Sequence, residues 1–408
     1  MSFEEAKKLD DHFVMHTFNR KPVMLVEGSG MEVKDDTGKT YLDFIAGIGA
    51  DSLGHCHPAV SEAIAAQAKR LIHVSNYYHI ENRGEVAKII SDLLNTCIPK
   101  FFRAPWPVFF ANSGAEANEC AIKLARLYSK KEGTGGQTII TMDGSFHGRT
   151  LATLSATAQP AKQEAFAPLP DGFIHVPMND MNAVHRAFFE NPGDVCAIML
   201  ECVQGESGVH PWDPDVLYEV AQFARKNGML IIVDEVQSGF YRCGEFPFAF
   251  QNMGITPDII TMAKGIASGF PMGACAARIE VAEVFEPGDH GSTFGGSNLA
   301  AHATLATLSR GHFDDDVQEL GDYFAESLDK IDAITEVRGM GLMIGADLEE
   351  GIDANLVVAK GLDEGFLLNA TGPHTLRFLP PLIVTRKEID QLLAALPGMI
   401  DAVRNGWT

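Results

Sequence analysis

The sequence predicts an α/β protein: a large domain with a seven-stranded, mostly parallel sheet, followed by a smaller C-terminal α/β domain. Between residues 105 and 280, short apolar runs alternate with segments of helical periodicity, which is typical of parallel sheets covered by helices. The runs are continuously apolar, which indicates strands buried on both faces. The predicted strands are residues 108–111, 138–142, 173–176, 195–200, 229–233, 259–263 and 273–277.

The domain limits follow from changes in this pattern along the chain. Residues 1–60 form an irregular N-terminal segment that we expect to join the small domain. We place the large domain at residues 61–295, where strand and helix signals alternate regularly. Residues 296–408, in which glycine-punctuated and helical stretches replace the regular alternation, form the small domain.

Several flanking elements have their own local signals. A hairpin is predicted over residues 31–33 and 41–44, because an Asp-Asp-Thr-Gly turn separates two strand-like runs. Pro58 marks the first position of a helix that follows a glycine turn. Residues 337–345 are predicted to form one glycine-punctuated strand, and the capping box at residues 385–388 opens the last helix.

Composition limits the partners and the compartment. The 408 residues carry a net charge of −22, from 54 acidic and 32 basic side chains, so we expect neither nucleic acid nor an anionic membrane as a partner. Seven scattered cysteines without a CxxC pair, and a start without a signal peptide, indicate a cytoplasmic protein with reduced thiols. His55, Cys56 and His57 are too close in sequence to converge on one metal, so no metal site is predicted.

Lys264 is the residue on which the predicted chemistry depends. It is the one charged side chain between Ile259 and Ala277, and it ends an apolar run. Taken alone, it could be a strand-end lysine that reaches water. Partial desolvation, however, lowers the pKa of an amine, and an unprotonated amine attacks a carbonyl to form an imine.

Asp234 is predicted to face the same crevice as Lys264. It closes the apolar run about 30 residues upstream, which is the length of one strand–crossover–strand unit. Such a unit brings both strand ends to one edge of the sheet, where α/β proteins bind ligands. A lysine that forms an imine and a carboxylate that keeps a pyridine nitrogen protonated are the pair that pyridoxal phosphate requires.

Two further strand ends carry residues suited to this cofactor. The stretch from Ser113 to Asn118 opens a helix, whose first backbone N–H groups form a phosphate site. It lacks a Walker lysine and a GxGxxG pattern, so nucleotide binding is not favoured. After the next strand, Phe146 is placed to stack on a planar ring and Arg149 offers a forked donor for a carboxylate. The alternatives are a core phenylalanine and a surface arginine.

Six motifs follow one another in a fixed order along the chain. They are Ser113-Gly114-Ala115, Phe146-His147-Gly148-Arg149, Gln204-Gly205-Glu206, Asp234-Glu235-Val236-Gln237, Lys264 and Ser292-Thr293-Phe294-Gly295-Gly296. In this order and spacing they resemble the class III aminotransferases, which are pyridoxal-phosphate enzymes of fold type I. The resemblance covers nearly the whole chain, from Leu53 to Pro381.

The resemblance implies how the cofactor ring is held. Lys264 forms the imine with pyridoxal phosphate and then shuttles the proton between substrate and cofactor. Asp234 pairs with the pyridine nitrogen and keeps the ring an electron sink. Phe146 and Val236 lie on either side of the ring, and Gln237 contacts its phenolic oxygen.

The resemblance also implies a phosphate site shared between two subunits. Backbone amides of Gly114 and Ala115 hold the phosphate. Glu235 is also expected among the residues that bind the cofactor. Thr293 reaches the phosphate of the neighbouring subunit, and Ser292 touches substrate across the same interface. A homodimer is therefore the expected active unit.

Three residues are implied in substrate binding. Arg149 holds the α-carboxylate of the amine donor, and Arg377 binds the additional carboxylate of 2-oxoglutarate. Glu206 masks Arg377 when that carboxylate is absent; a static ion pair is the alternative. The resemblance is strongest to members that transfer the δ-amino group of N2-acetyl-L-ornithine to 2-oxoglutarate, a ping-pong reaction of arginine biosynthesis that gives N-acetylglutamate 5-semialdehyde and L-glutamate.

Other donors and activities stay open at this point. Ornithine, 4-aminobutyrate and N-succinyldiaminopimelate are alternative donors, although Ile48 stands near the position where ornithine enzymes of the family have a tyrosine. An aminomutase of the glutamate-semialdehyde type needs no masked arginine, and a non-catalytic binding module needs neither the lysine nor the aspartate. Cys202, Ser207 and Cys243 depart from the usual family residues and could reshape the pocket wall.

Overall fold

The computed structural model describes residues 1–132, 134–310 and 314–407. The strands are β1 (Leu25–Ser29), β2 (Glu32–Asp35), β3 (Thr40–Asp43), β4 (Val108–Ala111), β5 (Thr138–Met142), β6 (Phe173–Val176), β7 (Val195–Leu200), β8 (Val203–Gln204), β9 (His210–Pro211), β10 (Leu230–Asp234), β11 (Ile259–Met262), β12 (Gly273–Ala277), β13 (Ile334–Met340), β14 (Met343–Leu348), β15 (Phe366–Leu367), β16 (Asn369–Ala370) and β17 (Thr375–Phe378).

The α-helices lie between and around these strands. They are α1 (Phe3–Phe13), α2 (Ala46–Gly49), α3 (Pro58–Ala68), α4 (Arg83–Leu94), α5 (Gly114–Glu132), α6 (Leu151–Ala156), α7 (Pro160–Gln163), α8 (Met181–Phe189), α9 (Pro214–Lys226), α10 (Ala249–Asn252), α11 (Ile279–Ala282), α12 (Asn298–Leu308), α13 (Asp314–Leu328), α14 (Ala354–Glu364) and α15 (Arg386–Arg404). Short 3-10 helices span Lys100–Phe102, Glu164–Phe166 and Lys264–Ala267.

The central sheet confirms the predicted seven-stranded, mostly parallel architecture. Its strands lie in the order β4-β12-β11-β10-β7-β5-β6. Neighbouring strands pair in parallel, except that β12 is antiparallel to both β4 and β11. The predicted runs coincide with the observed strands to within one residue at each end.

The side chains of the central strands alternate between two apolar layers. On β10, Ile231 and Val233 belong to the larger core, whereas Leu230 and Ile232 pack into a second cluster on the opposite face. Successive side chains of a strand point to opposite faces, so a strand covered on both sides needs an apolar residue at every position. This double burial explains why the runs are continuous in the sequence.

A separate core forms around the C-terminal part of the chain. Strands β13, β14, β17 and β16 pair antiparallel in that order and pack with α13, α14 and α15. The predicted hairpin is confirmed as β2 and β3, and β15 adds to β3 in parallel. The N-terminal segment is thereby hydrogen-bonded to the C-terminal part.

Two predicted helix starts are confirmed. Helix α3 begins at Pro58 after the turn at Gly54, whose φ is +77°. Helix α15 begins after Thr385, whose backbone N–H donates to the carboxylate of Glu388 at 2.7 Å. That bond belongs to the reciprocal capping box that the sequence indicated.

The prediction of a single strand over residues 337–345 is wrong. The segment folds back on itself, so that Met340 of β13 faces Met343 of β14 across a two-residue turn. Gly341 has a φ of +55°, and a β-carbon there would lie 2.6 Å from the backbone nitrogen of Gly244. Glycine is therefore required at the turn.

The proposed domain limits at residues 60 and 296 stay predictions. Helix α12 packs against α3 and α4, and its Ala300 and Ala303 belong to the core of the large sheet. After α12, the first residue that belongs to the second core is Val317 of α13. We therefore propose that the small domain begins between α12 and α13.

No helix within the described residues is long and apolar enough to cross a membrane.

Candidate active site

A cavity of about 380 Å³ opens at the carboxyl ends of the parallel strands. Its walls come from the segments that follow β4, β5, β10 and β11. The predicted site residues that line it are Gly114, Ala115, Phe146, Arg149, Glu206, Asp234, Val236, Gln237 and Lys264. Residues far apart in the sequence therefore meet at one sheet edge, as the order of the strands requires.

Lys264 reaches this cavity from the end of β11. It opens the 3-10 helix Lys264–Ala267, and its side chain is enclosed except toward the cavity. Burial lowers the pKa of Lys264 to about 8; the charge of Glu206 opposes this shift and that of Arg377 adds to it. Its amine is therefore easier to deprotonate than an exposed lysine amine, as a nucleophile or base requires.

Asp234 is held at the end of β10 by a fixed set of donors. One carboxylate oxygen, Oδ2, accepts from Asn118 Nδ2 at 2.7 Å and bonds to His147 Nδ1 at 2.8 Å. The other oxygen accepts from the backbone N–H of Val236 at 3.0 Å. The side chain is 4% exposed, so these bonds compensate for the burial of its charge.

His147 and Asn118 are site residues that the sequence reasoning missed. Burial lowers the pKa of His147, but the hydrogen bond to Asp234 and the charges of Asp234 and Glu201 outweigh it and raise that pKa. A protonated His147 stabilises Asp234 as a carboxylate. The position of His147 between Phe146 and Gly148, in a loop already assigned to the site, is the signal that could have found it.

Glu201 is a second buried acid that the sequence reasoning did not single out. Its Oε2 accepts from the backbone N–H of Phe146 at 3.0 Å, and burial raises the pKa of this carboxyl. The bond fixes the loop that carries the aromatic ring. Glu201 thereby positions Phe146 at the cavity wall.

The structure brings Glu206 and Arg377 together, although they are remote in sequence. Arg377 Nη1 donates to Glu206 Oε1 at 2.6 Å and to the carbonyl oxygen of Gly205 at 2.9 Å. Its Nε donates to Asn369 Oδ1 at 2.9 Å. Gln237 Nε2 donates to the same Glu206 oxygen at 3.1 Å.

This ion pair is buried unequally. Arg377 has 2% of its side chain exposed, whereas Glu206 has 25% exposed and lines the cavity. Burial raises the pKa of Glu206, but the charges of Arg377 and Lys264 outweigh it and bring that pKa to about 2. Glu206 is thus a carboxylate that faces the cavity and covers a deeper guanidinium.

The phosphate end of the predicted site lies where β4 meets α5. The first N–H groups of a helix have no acceptor within that helix. Helix α5 begins at Gly114, which lines the cavity, so its first N–H groups lie at the cavity wall. A β-carbon on Gly114 would lie 2.7 Å from Val236 Cγ1, so only glycine permits this packing. Gly114 and Ala115 are half-buried and line the cavity.

Four predicted site residues do not line this cavity, and one of them is Arg377, which is buried beside Glu206. Glu235 is fully buried: it accepts from Ser238 Oγ at 2.6 Å and from the backbone N–H of Phe250 at 2.8 Å. Alternation along the chain explains this placement, since Asp234 points into the cavity and Glu235 away from it. Ser292 and Thr293 line a separate open depression on the surface.

The fold and this arrangement of lysine, aspartate and helix N-terminus define a pyridoxal-phosphate-dependent enzyme of fold type I. The sequence model of the class III aminotransferase family matches residues 15–400 of this chain. The chain therefore belongs to the class III aminotransferase family.

Individual relatives are similar over almost their whole length. The chain is 46% identical over 400 residues to the acetylornithine aminotransferase of Caldanaerobacter subterraneus subsp. tengcongensis, with 96% of this chain and 98% of the relative covered. It is 46% identical over 413 residues to that of Methanocaldococcus jannaschii, with 99% and 100% covered. The solved structure of the Toxoplasma gondii ornithine aminotransferase matches with a TM-score of 0.91 at 30% identity, covering 100% of this chain and 97% of that one.

Pyridoxal phosphate is the cofactor of this family, and the cavity fits it. Lys264 would supply an amine of lowered pKa for the aldehyde, and Asp234 Oδ1, which accepts one bond from Val236, would accept a second from the pyridine nitrogen. Phe146 and Val236 supply apolar surfaces for the two ring faces. The amides of Gly114 and Ala115 suit the phosphate.

Proposed function

We propose that this enzyme transfers the δ-amino group of N2-acetyl-L-ornithine to 2-oxoglutarate, giving N-acetylglutamate 5-semialdehyde and L-glutamate. The observation that carries the proposal is the Glu206–Arg377 pair, whose charged atoms lie 2.6 Å apart at the cavity wall. A reaction with two different substrates needs a second carboxylate site that is available to one of them and covered for the other. The named relatives support the choice of acetylornithine as donor.

Bound pyridoxal phosphate supplies an aldehyde and an electron-withdrawing ring. Lys264 Nζ, whose pKa burial lowers to about 8, would take the proton from the carbon that carries the amino group and pass it to the cofactor, and the same transfer would run in reverse in the second half-reaction. Asp234 holds a proton on the pyridine nitrogen, and its bonds to Asn118 and His147 fix the carboxylate in place. The apolar walls at Phe146 and Val236 exclude water from the reacting atoms.

The two substrates use the cations of the cavity differently. Arg149 lies at the entrance and binds the carboxylate that both substrates have in common. Acetylornithine has no second carboxylate, so Glu206 stays on Arg377 and neutralises it. With 2-oxoglutarate, Glu206 leaves and Arg377 binds the additional carboxylate. An unpaired buried guanidinium costs about 3–5 kcal/mol, which the movable carboxylate avoids.

A substrate panel tests the donor. We expect kcat/KM with acetylornithine to exceed that with ornithine and with 4-aminobutyrate by about tenfold or more, because pocket contacts discriminate by that order. N-succinyldiaminopimelate belongs in the same panel, since it shares the acylated α-amine. A higher kcat/KM for ornithine or 4-aminobutyrate would refute acetylornithine as the donor and leave the transaminase intact.

Ornithine is the second candidate donor, since the Toxoplasma gondii structure that matches this chain is an ornithine aminotransferase. Ile48 argues against it. This residue lies two positions before Ala50, which lines the cavity, and its side chain has no polar atom for a free α-amine. An acylated amine needs no such partner.

We further propose that the active unit is a homodimer in the cytoplasm that serves arginine biosynthesis. Thr293 and Ser292 lie in a depression of about 880 Å³ that also includes Tyr77. Tyr77, Tyr78 and Phe294 are 94%, 64% and 59% exposed, and clustered exposed aromatic side chains mark an interaction surface. A second copy seated there would bring Thr293 to the phosphate site of its neighbour.

A further inference from the structure

Lys162 is a cation beside Phe146, a residue of the cavity wall, and neither the sequence nor the proposed mechanism assigns it a role. It lies on the short helix α7 and is half-buried. Its Nζ lies 5.4 Å from the ring centroid of Phe146, and the guanidinium carbon of Arg149 lies 5.5 Å from the same centroid. Two cations therefore lie close to one aromatic ring of the cavity wall.

Hydrogen bonds fix Lys162 to the loop that follows β5. Its Nζ donates to Gln159 Oε1. Gln159 Nε2 in turn donates to the carbonyl oxygens of Gly144 and Ser145, each at 3.1 Å. The side chain of Lys162 is thus held beside the backbone of Gly144.

The turn that carries Glu206 lies against the same glycine. A β-carbon on Gly144 would meet Gln204 Oε1 at 3.1 Å and Ser207 Oγ at 3.3 Å. Gln204 Nε2 donates to the carbonyl oxygen of Asp143 at 3.0 Å, and Ser207 Oγ donates to Gln204 Oε1 at 3.1 Å. Glu206 therefore projects from a turn that is anchored next to the support of Lys162.

The charges of Lys162 and Glu206 already influence each other. Burial lowers the pKa of Lys162, the charge of Glu206 raises it, and that of Arg149 lowers it. Lys162 is therefore within electrostatic range of Glu206 while that carboxylate is still bonded to Arg377.

A carboxylate that leaves a guanidinium inside a cavity loses its compensation unless another cation accepts it. In the proposed function Glu206 has to leave whenever Arg377 binds substrate. Arg149 is then occupied by the other substrate carboxylate, and Lys264 carries the proton of the reaction. Lys162 has neither task, and its support at Gly144 is shared with the Glu206 turn.

We propose that Lys162 is the alternative partner of Glu206 and takes up this carboxylate when Arg377 binds the second carboxylate of 2-oxoglutarate or glutamate. The inference rests on the proposed function, because it concerns the substrate that uncovers Arg377. Lys162 is a positioning residue: it acts through Glu206 and does not touch the reacting atoms.

Binding of two unreactive probes to the holoenzyme tests this role. Glutarate has the two carboxylates of 2-oxoglutarate without the carbonyl, and N-acetylnorvaline has the acylated α-amine and single carboxylate of acetylornithine without the δ-amine. We expect Lys162→Met to raise the Kd of glutarate about fivefold, the scale of a partly exposed ion pair, and to leave the Kd of N-acetylnorvaline unchanged. Titration calorimetry measures both, and Lys162→Arg should restore tight glutarate binding.

Lys360→Met is the matched control. Lys360 is also half-buried, contacts a carboxylate at 2.7 Å on Glu364 and lies 5.8 Å from an aromatic ring, but it belongs to α14. Neither probe should bind differently to this variant. In a Glu206→Ala background, Lys162→Met should no longer affect glutarate, because the two residues act as one unit.

The other outcomes overturn the proposal. If Lys162→Met weakens both probes equally, Lys162 helps Arg149 to hold the shared carboxylate. If Lys162→Met changes the Kd of neither probe, or still weakens glutarate binding in the Glu206→Ala background, Lys162 is not the partner of Glu206. The donor assignment is independent of these results, because glutarate does not resemble any donor and the substrate panel uses the wild-type enzyme.

Discussion

Lys264 adopts a left-handed backbone conformation with a φ of +46°, and Ser268 at the end of the same turn has a φ of +43°. This conformation is uncommon for residues with a β-carbon. It persists only where the surrounding structure imposes it, which is frequent at functional sites. Here the buried strands β11 and β12 precede and follow the turn and impose its backbone conformation, which sets the direction of the lysine side chain.

The lowered pKa of Lys264 predicts how the apoenzyme takes up its cofactor at different pH values. Only the unprotonated amine attacks an aldehyde, and a folded-state pKa of about 8 means that the amine is mostly protonated below that pH and mostly free above it. In rapid-mixing absorbance measurements, we expect the attachment rate to rise with pH and level off above about 8. Borohydride reduction and peptide mapping verify the residue. A rate that still rises at about pH 10, as for an unperturbed lysine, would contradict this assignment.

The sequence predicted Asp234 and Lys264 because each ends a continuous apolar run, and β10 and β11 do pair in parallel with Asp234 opposite Thr261. It did not predict His147 and Asn118, because they act through Asp234 and no local pattern marks a hydrogen-bond partner. Their contribution requires the distances between three separate chain segments, which only the folded structure provides.

The junction of β4 and α5 depends on one glycine, and its substitution tests the phosphate site. A β-carbon in Gly114→Ala would lie 2.7 Å from Val236 Cγ1 and 2.8 Å from Cγ2, so one of the two segments has to shift. Overpacking of this kind costs about 1–3 kcal/mol, and we expect the Kd of pyridoxal phosphate to rise about ten- to a hundredfold. Equilibrium dialysis of the apoenzyme measures the change.

Gly398→Ala in α15 is the control for that experiment, since a β-carbon there meets nothing within 4 Å. This variant should bind the cofactor as the wild type does and unfold at the same temperature or higher, because alanine favours a helix. Wild-type cofactor affinity in Gly114→Ala would mean that the phosphate is bound elsewhere.

The turn between β13 and β14 has no local signal in the sequence. Residues 337–345 contain three glycines among apolar residues and no Asn-Gly or Asp-Gly pair, the usual sign of a tight turn. The fold is decided by tertiary packing instead, because Gly341 lies against the backbone of Cys243 and Gly244. Packing of this kind cannot be read from a local sequence window.

A strongly acidic chain has to bind substrates that carry carboxylates. The net charge of −22 opposes the approach of an anion such as 2-oxoglutarate, so its binding depends on cations placed around one cavity. Arg149 and Lys162 lie near Phe146 of the cavity wall, Lys264 lines the cavity, and the buried Arg377 is bonded to Glu206, which we propose regulates access to it. The rest of the surface need not be basic.

Subunit complementation tests whether the depression at Ser292 and Thr293 completes the site of a second copy. Lys264→Ala and Thr293→Asp each inactivate every site of their own homodimers, the second by placing a carboxylate beside the phosphate. In a hybrid dimer, one site combines the intact Lys264 of one subunit with the intact Thr293 of the other, because a two-fold axis exchanges the same surfaces. Random pairing makes half of the dimers hybrids with one good site each, so co-expressed variants should recover about a quarter of the wild-type activity. If Thr293 served the cavity of its own chain, no hybrid site would be intact and the mixture would stay inactive.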